Sequence, residues 1–228
     1  MYEIYWLIRG SAMIAAVVPI KNLNMAKSRL GDVLSLDERK ELVLAMLRDV
    51  LSALTGSALI TDIFAVVDAE FKAPKGFETI IEPKNRGYNE AIIEAVSNKR
   101  IKSAKSMVVL PADLPLLQSV ELDIFVSGCS EKGLRIAPAR DGDGTNALLM
   151  SPPDLMPTQF GMGSFFKHRK AAVDIISTVE IVNLPGLAFD VDTAQDLVDF
   201  CKNKNDTATY TFLKESGVLK RIINLEFV

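Results

Sequence analysis

Residues 17 to 30 of the chain read Val17-Val18-Pro19-Ile20-Lys21-Asn22-Leu23-Asn24-Met25-Ala26-Lys27-Ser28-Arg29-Leu30. The hydrophobic run at residues 14–18 predicts a buried strand that ends at the proline. The loop after it contains Lys21, Lys27 and Arg29. Open α/β sheets bind ligands beyond the carboxyl ends of their strands, and cations with free backbone N–H groups suit a polyphosphate. The loop therefore predicts a phosphate site, although a basic cluster considered alone is more often a solvated loop.

Composition narrows the class of protein. The chain has 228 residues, of which 49% are hydrophobic, and this is enough for one α/β domain or at most two small ones. The net charge is −3 and the pI is near 5.4, so nucleic acid is not an expected partner and the local cations are expected to serve a small anion. Cys129 and Cys201 lie far apart and His168 is the only histidine. A zinc site, a disulfide framework and a Cys–His nucleophile are therefore disfavoured, and two lone thiols favour a cytoplasmic protein.

The chain is predicted to form one domain. Residues 1–12 lack a basic region ahead of their hydrophobic part, and we interpret them as an N-terminal extension with Met13 as an alternative start. Residues 13–205 are expected to be the domain itself, and residues 206–228 a C-terminal appendage of the same domain. No segment has the length of a membrane span, so no membrane association is expected.

Short hydrophobic strands alternate with helices along the sequence. Further strands are predicted at residues 63–67, 79–81, 107–110, 134–137 and 179–183, and residues 146–150 form a further hydrophobic stretch after a turn. Ser35-Leu36-Asp37-Glu38 has the pattern of a capping box that starts a helix. Helices that cross between short hydrophobic strands indicate an α/β fold with a mostly parallel sheet that is covered on both faces.

Three aspartates follow predicted strands and are candidate Mg²⁺ ligands. Asp113 follows a hydrophobic strand and lies between Pro111 and Pro115, which stiffen the turn. Asp190 and Asp192 flank one valine, so on an extended segment both carboxylates face the same side and can share a cation. Together the three suit one Mg²⁺ or a two-metal clamp on phosphoryl oxygens. Two other interpretations stay open: Asp113 as a turn aspartate that bonds its own backbone, and Asp192 or Thr193 as a helix cap.

Hydroxyls and backbone N–H groups in two further segments suit a second anion. Thr145-Asn146 follows a glycine-rich turn, and Gly161-Met162-Gly163-Ser164 precedes a predicted helix, whose N-terminus would favour an anion. Ser164 could equally be an N-cap. Asn89 is a candidate contact for a ribose or base, with helix capping as the commoner role, and His168 is expected to be a solvated residue on a helix face.

Taken in order, these segments resemble the 2-phospho-L-lactate guanylyltransferase family, which acts in the biosynthesis of the deazaflavin coenzyme F-420. The resemblance covers about residues 13–200, and no single segment is decisive without the others. The matching segments are Pro19-Ile20-Lys21, Ala26-Lys27-Ser28-Arg29-Leu30, Leu34-Ser35, Pro111-Ala112-Asp113-Leu114-Pro115, Asp141-Gly142-Asp143-Gly144-Thr145-Asn146-Ala147-Leu148, Phe160-Gly161-Met162-Gly163-Ser164-Phe165 and Asp190-Val191-Asp192-Thr193.

The resemblance implies a three-layer α/β/α sandwich like that of nucleotide-diphospho-sugar transferases. It implies transfer of GMP from GTP to a small phosphorylated carboxylic acid, with release of pyrophosphate. The implied Mg²⁺ ligands are Asp113, Asp190 and Asp192, and the implied acceptor contacts are Thr145, Gly161 and Ser164. The GTP phosphates would be held by the opening loop with Lys21, Lys27, Ser28 and Arg29, of which Lys21, Lys27 and Arg29 would act in catalysis together with Asp113. Separately from the resemblance, Glu82 and Asn89 are candidate contacts for the nucleoside of GTP.

Glu82 is the candidate reader of guanine, because one carboxylate can accept from both the N1–H and the N2–H₂ donors of the base. The alternative is that Glu82 is a solvated turn residue and that backbone carbonyls recognise the base. For the activity, two alternatives stay open: another nucleotidyltransferase of the molybdenum-cofactor or sugar-phosphate type, and a catalytically silent nucleotide-binding subunit. The acceptor (2-phospho-L-lactate, phosphoenolpyruvate or 3-phosphoglycerate) and the oligomeric state, a homodimer included, are not fixed by the sequence.

Overall fold

The computed structural model describes residues 13–20, 23, 27–82, 86–175, 179–202 and 204–225. The predicted N-terminal extension and Lys21 lie outside these residues. The described strands are β1 (Ile14–Pro19), β2 (Asp62–Val67), β3 (Glu78–Ile81), β4 (Ser106–Val109), β5 (Gly133–Pro138), β6 (Thr145–Ser151) and β7 (Val179–Ile181). The described helices are α1 (Leu36–Gly56), α2 (Tyr88–Ser97), α3 (Lys99–Lys102), α4 (Ser119–Val126), α5 (Ser164–Ala172), α6 (Pro185–Ala188), α7 (Ala194–Cys201), α8 (Ala208–Glu215) and α9 (Val218–Leu225).

The strands form one seven-stranded sheet with the order β3-β2-β1-β4-β6-β5-β7. β1 pairs in parallel with β2 and β4, β2 with β3, and β5 with β7. β6 alone runs antiparallel to its neighbours β4 and β5. The predicted mostly parallel sheet is therefore confirmed. The reversal of β6 brings its first residue, Thr145, to the edge where β4 ends.

Side chains of the strands alternate between the two faces of the sheet, as the two-residue period of a strand requires. Ala16 and Val18 of β1 pack into a core with α1 and α4 on one face, while Ala15 and Val17 pack with α2, α3 and α5 on the other. Both cores consist of fully or almost fully buried aliphatic and aromatic residues. Helices cover both faces, and the architecture is the expected three-layer α/β/α sandwich.

Helix α1 begins at the predicted capping box. The Ser35 hydroxyl accepts from the Glu38 backbone N–H at 3.3 Å, and the Glu38 carboxylate accepts from the Ser35 N–H at 2.9 Å. This helix is long enough to contribute to two cores. One side packs on the sheet, and the opposite side, with Leu42 and Met46, packs against α7, α8 and α9.

The C-terminal helices α8 and α9 are joined to this second side of α1. The carboxylate of Asp49, which is buried, accepts from the Ala208 N–H at 2.6 Å, from the Thr209 N–H at 2.9 Å and from the Thr209 hydroxyl at 2.5 Å. Leu213 and Ile222 are fully buried in the same cluster. The segment expected to be an appendage thus shares a hydrophobic core with α1. No helix of the described residues is long and apolar enough to cross a membrane.

Candidate active site

Lys27 joins two of the three aspartates at the carboxyl edge of the sheet. Its Nζ lies 2.5 Å from Oδ2 of Asp113, in the turn after β4, and 2.6 Å from Oδ1 of Asp192, in the segment before α7. The two segments are also tied through the backbone, because the Val191 N–H donates to the Asp113 carbonyl at 3.2 Å. Lys27 has a left-handed backbone, with φ of 52°, an uncommon conformation for a residue with a side chain.

The charges at this edge depend strongly on one another. Burial by itself would lower the pKa of Lys27, but the carboxylates of Asp113 and Asp192 raise it above its ordinary value. Burial raises the pKa of Asp190, and the nearby carboxylates of Asp113 and Asp192 raise it further, while the hydrogen bond from Asn146 opposes this shift. Two of these carboxylates share one ammonium group and the third, that of Asp190, is coupled to both of them, an excess of negative charge that favours an additional cation.

Asp113 has one oxygen that the protein does not satisfy. Its Oδ2 faces Lys27, whereas its Oδ1 is buried and has no hydrogen-bond partner among the residues that the structure describes. A buried carboxylate oxygen without a partner is costly. In the same described part of the chain, no group of three or more His, Cys, Asp or Glu side chains is already gathered as a metal-binding cluster. The carboxylates are thus close and partly unsatisfied, but they do not form a closed metal cage while Lys27 bridges two of them.

Thr193, rather than Asp192, caps helix α7. The Thr193 hydroxyl accepts from the Asp196 N–H at 3.3 Å, and Asp196 Oδ2 accepts from the N–H groups of Thr193 at 2.8 Å and of Asp192 at 3.1 Å. Arg140 forms an ion pair with Asp196 from the outside. This arrangement holds the backbone of Asp192 and leaves its carboxylate available to Lys27.

The predicted acceptor residues Thr145, Gly161 and Ser164 are brought together at the same edge. Thr145 begins β6, and Ser164 is the first residue of α5. Gly163 is the N-cap of α5 and makes no side-chain cap, so the predicted capping alternative for Ser164 does not hold. Gly161 and Gly163 have φ of 120° and 67°, which a residue with a Cβ rarely adopts.

Three side chains anchor the loop of residues 159–165 to the rest of the domain. Nε2 of His168 accepts from the Gln159 N–H at 2.8 Å. Asn89 binds both the N–H and the carbonyl of Phe160, at 2.8 and 3.0 Å. Asp143 Oδ2 accepts from the Gly163 N–H at 2.7 Å. The loop is therefore positioned by α2, by the turn before β6 and by its own helix.

His168 corrects one sequence prediction. It was expected to be solvated, yet it is fully buried and its Nδ1 lies 3.1 Å from the Thr145 hydroxyl. Its neighbours Lys167, Arg169 and Lys170 made this helix face look polar, but His168 itself points inward. Burial lowers the pKa of His168 to about 4, and Lys167 lowers it too.

The predicted nucleotide-binding residues lie on the β1 side of the edge. Glu82 is 7% exposed and therefore not a solvated turn residue. It lines a small pocket together with Asp68 and Tyr88 beyond the ends of β1 and β2, and its Oε1 accepts from the Arg86 N–H at 3.1 Å. Ser28 and Arg29 form an exposed single 3₁₀ turn beside Lys27, which Leu30 anchors in the core.

Comparison with known proteins identifies the family. A family model described as "Guanylyl transferase CofC like" matches residues 14–222. The chain belongs to this family. Phosphoenolpyruvate guanylyltransferase of Sphaerobacter thermophilus is 36% identical over 186 residues, covering 80% of this chain and 89% of that protein. 2-phospho-L-lactate guanylyltransferase of Methanocaldococcus jannaschii is 33% identical over 207 residues, covering 89% of this chain and 88% of that protein.

Solved structures share the fold of this CofC-like chain. A protein of Desulfovibrio desulfuricans G20 assigned to the nucleotide-diphospho-sugar transferases has a TM-score of 0.74 at 18% identity, over 93% of this chain and 99% of that one. Glucosyl-3-phosphoglycerate synthase of Mycobacterium tuberculosis, solved with Mg²⁺ and uridine diphosphate, has a TM-score of 0.55 at 12% identity, over 81% of this chain and 73% of that one. At these identities the likeness shows the fold alone.

The positioning roles of Asp143 and Asn89 in this CofC-like site were not predicted from the sequence. Asp143 lies in a turn motif that predicts local bonds, and its Asp141 neighbour does make them. Nothing in that motif indicates that the Asp143 carboxylate reaches Gly163, twenty residues later. Asn89, predicted as a nucleotide contact, uses both polar atoms on Phe160, so a contact with GTP would have to use the second amide hydrogen or lone pair.

Proposed function

We propose that the chain transfers GMP from GTP to a phosphorylated three-carbon acid, with release of pyrophosphate, as a step in the biosynthesis of coenzyme F-420. One observation carries the proposal: Asn146 Nδ2 donates to Asp190 Oδ1 at 3.2 Å. The strand that begins with Thr145 therefore contacts Asp190, whose pKa is raised in part by the two carboxylates that bind Lys27, those of Asp113 and Asp192. An acceptor held at Thr145 and a nucleotide held beside Lys27 would meet at this contact.

The residues at this edge fit Mg²⁺, which we assign to Asp113, Asp190 and Asp192. Carboxylate oxygens are the ligands that this ion prefers, and the buried Oδ1 of Asp113 has no partner among the described residues. When bound, the ion would neutralise charge on the phosphates and on the departing pyrophosphate. Lys27 pairs with an oxygen of Asp113 and one of Asp192, and its ammonium, together with Lys21, Ser28 and Arg29, would also bind the GTP phosphates.

The reaction needs no general base. The phosphate of the acceptor is ionised at neutral pH, so it can attack the α-phosphorus of GTP directly. The remaining task is to position two anions against each other and to stabilise the charge that develops. Thr145, the N–H groups near Gly161, and Ser164 at the start of α5 would hold the acceptor anion. The absence of an exposed histidine is consistent with this chemistry, since His168 is buried.

Guanine recognition is assigned to the pocket that contains Glu82. The carboxylate is almost fully buried, and one of its oxygens already accepts from the Arg86 N–H. A carboxylate has about four lone-pair positions, so it retains capacity for the N1–H and N2–H₂ donors of guanine. Adenine presents a different edge and would leave these groups unpaired, which is the arrangement that rejects a wrong substrate strongly.

The proposal is tested by measuring pyrophosphate release over a grid of GTP, ATP, CTP and UTP against 2-phospho-L-lactate, phosphoenolpyruvate and 3-phosphoglycerate. We expect GTP to exceed ATP in kcat/KM by a large factor, on the order of a hundredfold or more. The relatives are named for two of these acceptors at similar identities, so the grid also identifies the acceptor. Equal use of ATP and GTP, or no turnover with any of the acids, would contradict the proposal.

Glu82→Gln isolates the assignment of the base pocket. It replaces one acceptor oxygen by a donor and should cut the preference for GTP over ATP by about tenfold, the loss of one hydrogen bond between charged and polar groups. Glu90→Gln is the matched control, because Glu90 also lies near Arg86 but is about two-fifths exposed and lines no part of the pocket. An unchanged GTP preference in Glu82→Gln ends the claim for Glu82 and leaves GMP transfer untouched.

A further inference from the structure

His168 is fully buried between the two parts of the proposed acceptor site. Its Nε2 lies 2.8 Å from the Gln159 backbone nitrogen, and its Nδ1 lies 3.1 Å from the Thr145 hydroxyl oxygen. The ring of Phe160 packs edge-on against the imidazole with centroids 4.9 Å apart. His168, on α5, therefore connects the start of β6 to the start of the loop of residues 159–165, called the acceptor loop below.

The contact with Gln159 determines the tautomer. A backbone N–H can only donate, so Nε2 must be the accepting nitrogen and carries no proton. A neutral imidazole has one N–H, which then lies on Nδ1. The ring is neutral near pH 7, since burial lowers the pKa of His168 to about 4. Nδ1 consequently donates its proton to the oxygen of Thr145.

The direction of this bond determines what Thr145 can offer to a ligand. A hydroxyl that accepts from the imidazole keeps its own hydrogen for another partner. A hydroxyl that donated to the imidazole would instead present lone pairs to an incoming anion. Phosphate and carboxylate groups only accept, so the first arrangement attracts them and the second does not.

We infer that His168 is a positioning residue that fixes Thr145 as a hydrogen-bond donor to the anionic group of the acceptor. The inference rests on the proposed function for the statement that Thr145 binds the acceptor. It goes beyond it by assigning a role to a buried histidine that itself touches no substrate. His168 also holds Gln159, so the donor and the acceptor loop are fixed by the same ring.

The tautomer can be measured directly, because the chain has one histidine. The untagged protein is labelled with ¹⁵N-histidine, and the two ring nitrogens are observed by NMR at pH 7 without substrates. We expect a protonated Nδ1 and an unprotonated Nε2. A protonated Nε2, or a ring that exchanges between tautomers, would overturn the inference whether or not the chain transfers GMP.

The role of the tautomer is tested by kinetics on four variants. His168→Met removes the donor, whereas His168→Gln retains one donor and one acceptor. We expect His168→Met to raise the KM for the acceptor by about ten- to a hundredfold, with the KM for GTP changed by less than about twofold, and His168→Gln to restore most of the loss. Thr145→Val should cost about as much as His168→Met. Lys170→Gln, on the exposed face of the same helix, is the control.

The double variant Thr145→Val/His168→Met distinguishes positioning from a structural role. If His168 acts through Thr145, its loss adds little once the hydroxyl is gone, and the two effects are strongly non-additive. Additive effects, or equal rises in the KM values for GTP and acceptor, would overturn the inference. Circular dichroism and thermal unfolding show which variants are folded. If His168→Met does not fold, His168→Gln is compared with Thr145→Val: the KM for the acceptor should rise much less in His168→Gln, and an equal rise would overturn the inference. A wild type without GMP transfer would instead refute the proposed function and leave the NMR result intact.

Discussion

The two sides of the proposed site lie at one edge of the sheet but are held by different forces. The acceptor loop, residues 159–165, is fixed by short hydrogen bonds that its backbone N–H groups donate to Asn89, Asp143 and His168. The group of Asp113, Asp190 and Asp192 is held by charge. The ammonium of Lys27 lies between the carboxylates of Asp113 and Asp192, and the pKa of the third carboxylate, that of Asp190, is raised.

This difference predicts distinct roles for the two sides of the site. Hydrogen bonds to backbone groups need no added ligand, so the acceptor side is formed in advance and can select the acceptor by shape. The carboxylate side has one ammonium group for three coupled carboxylates, so it should bind a further cation such as the proposed Mg²⁺. Substitutions on the two sides should therefore differ in their response to Mg²⁺.

The largest effect is expected on the carboxylate side. Asp113→Asn, Asp190→Asn and Asp192→Asn each keep the shape of the side chain but remove its charge. Each should lower kcat by about a hundredfold or more, since a metal contact contributes several kcal/mol to the transition state. Steady-state pyrophosphate release, with circular dichroism as a test of folding, measures this loss.

Asp154→Asn is the control for these variants, because Asp154 is exposed and remote from the edge. It should retain wild-type turnover. If any two of the three aspartate variants also remain near wild type, the metal assignment is wrong.

The second effect is a loss of folding stability at acidic pH, which His168 on the acceptor side should cause. The pKa of His168 is about 4 in the folded chain against an ordinary value of 6.5. Between these pH values the unfolded chain binds a proton that the folded chain does not, so stability falls as pH decreases. The free energy of unfolding should drop by about 3 kcal/mol from pH 6.5 to pH 4 through this group, with no further loss below pH 4. Urea unfolding at a series of pH values measures the drop.

His168→Gln has no titrating ring and should lose less stability than the wild type over the same pH range. Taking the difference between the two proteins cancels the aspartates and glutamates, which titrate in both. Parallel pH dependences in the two proteins would show that His168 is not buried in its neutral form.

The smallest effect is a change in stability that depends on Mg²⁺, and it is expected only on the carboxylate side. Lys27→Met removes the ammonium between Asp113 and Asp192 and should lower the free energy of unfolding by about 1–3 kcal/mol without Mg²⁺, less than for a fully buried pair because Asp192 is half exposed. Mg²⁺ should restore part of this loss. Thermal unfolding with and without MgCl₂ gives both numbers.

Lys202→Met is the matched control, since Lys202 pairs with Asp199 at the surface. Its stability should respond to Mg²⁺ as the wild type does. A response of Lys27→Met that is no larger than that of the wild type would mean that Lys27 and the metal do not compete for the same oxygens.

Much of the fold could be predicted from the sequence because each strand is a short hydrophobic run and helices follow clear start signals. Six of the seven strands were predicted to within two residues, β6 was recognised only as a hydrophobic stretch, and the capping box at Ser35 formed as expected. The direction of β6 was not predictable, since a hydrophobic run looks the same in either direction. Helices α8 and α9 were not predicted; each is only eight residues long, and their burial depends on contacts with α1, more than 150 residues away in the chain.

The candidate site was predicted from the sequence only in part. Asp113, Asp192 and Lys27 could be named because charged residues after strand ends converge in this type of fold, and they are in contact. His168 was misjudged because its charged neighbours determine how a helix face looks in the sequence, whereas its own direction depends on Thr145 and Gln159. The roles of Glu82, Ser28 and Arg29 stay predictions, as does that of Lys21, which lies outside the described residues.

The most direct test of the account follows the oxygen atoms of the acceptor. The wild-type chain is incubated with GTP, Mg²⁺ and the preferred phospho-acid, in which every phosphate oxygen is ¹⁸O. The masses of the products are then determined by mass spectrometry. If the acceptor phosphate attacks the α-phosphorus, all of the label remains in a guanosine product that carries the acid on a diphosphate, and the released pyrophosphate is unlabelled. Label in pyrophosphate, or release of free GMP in place of that product, would contradict the account.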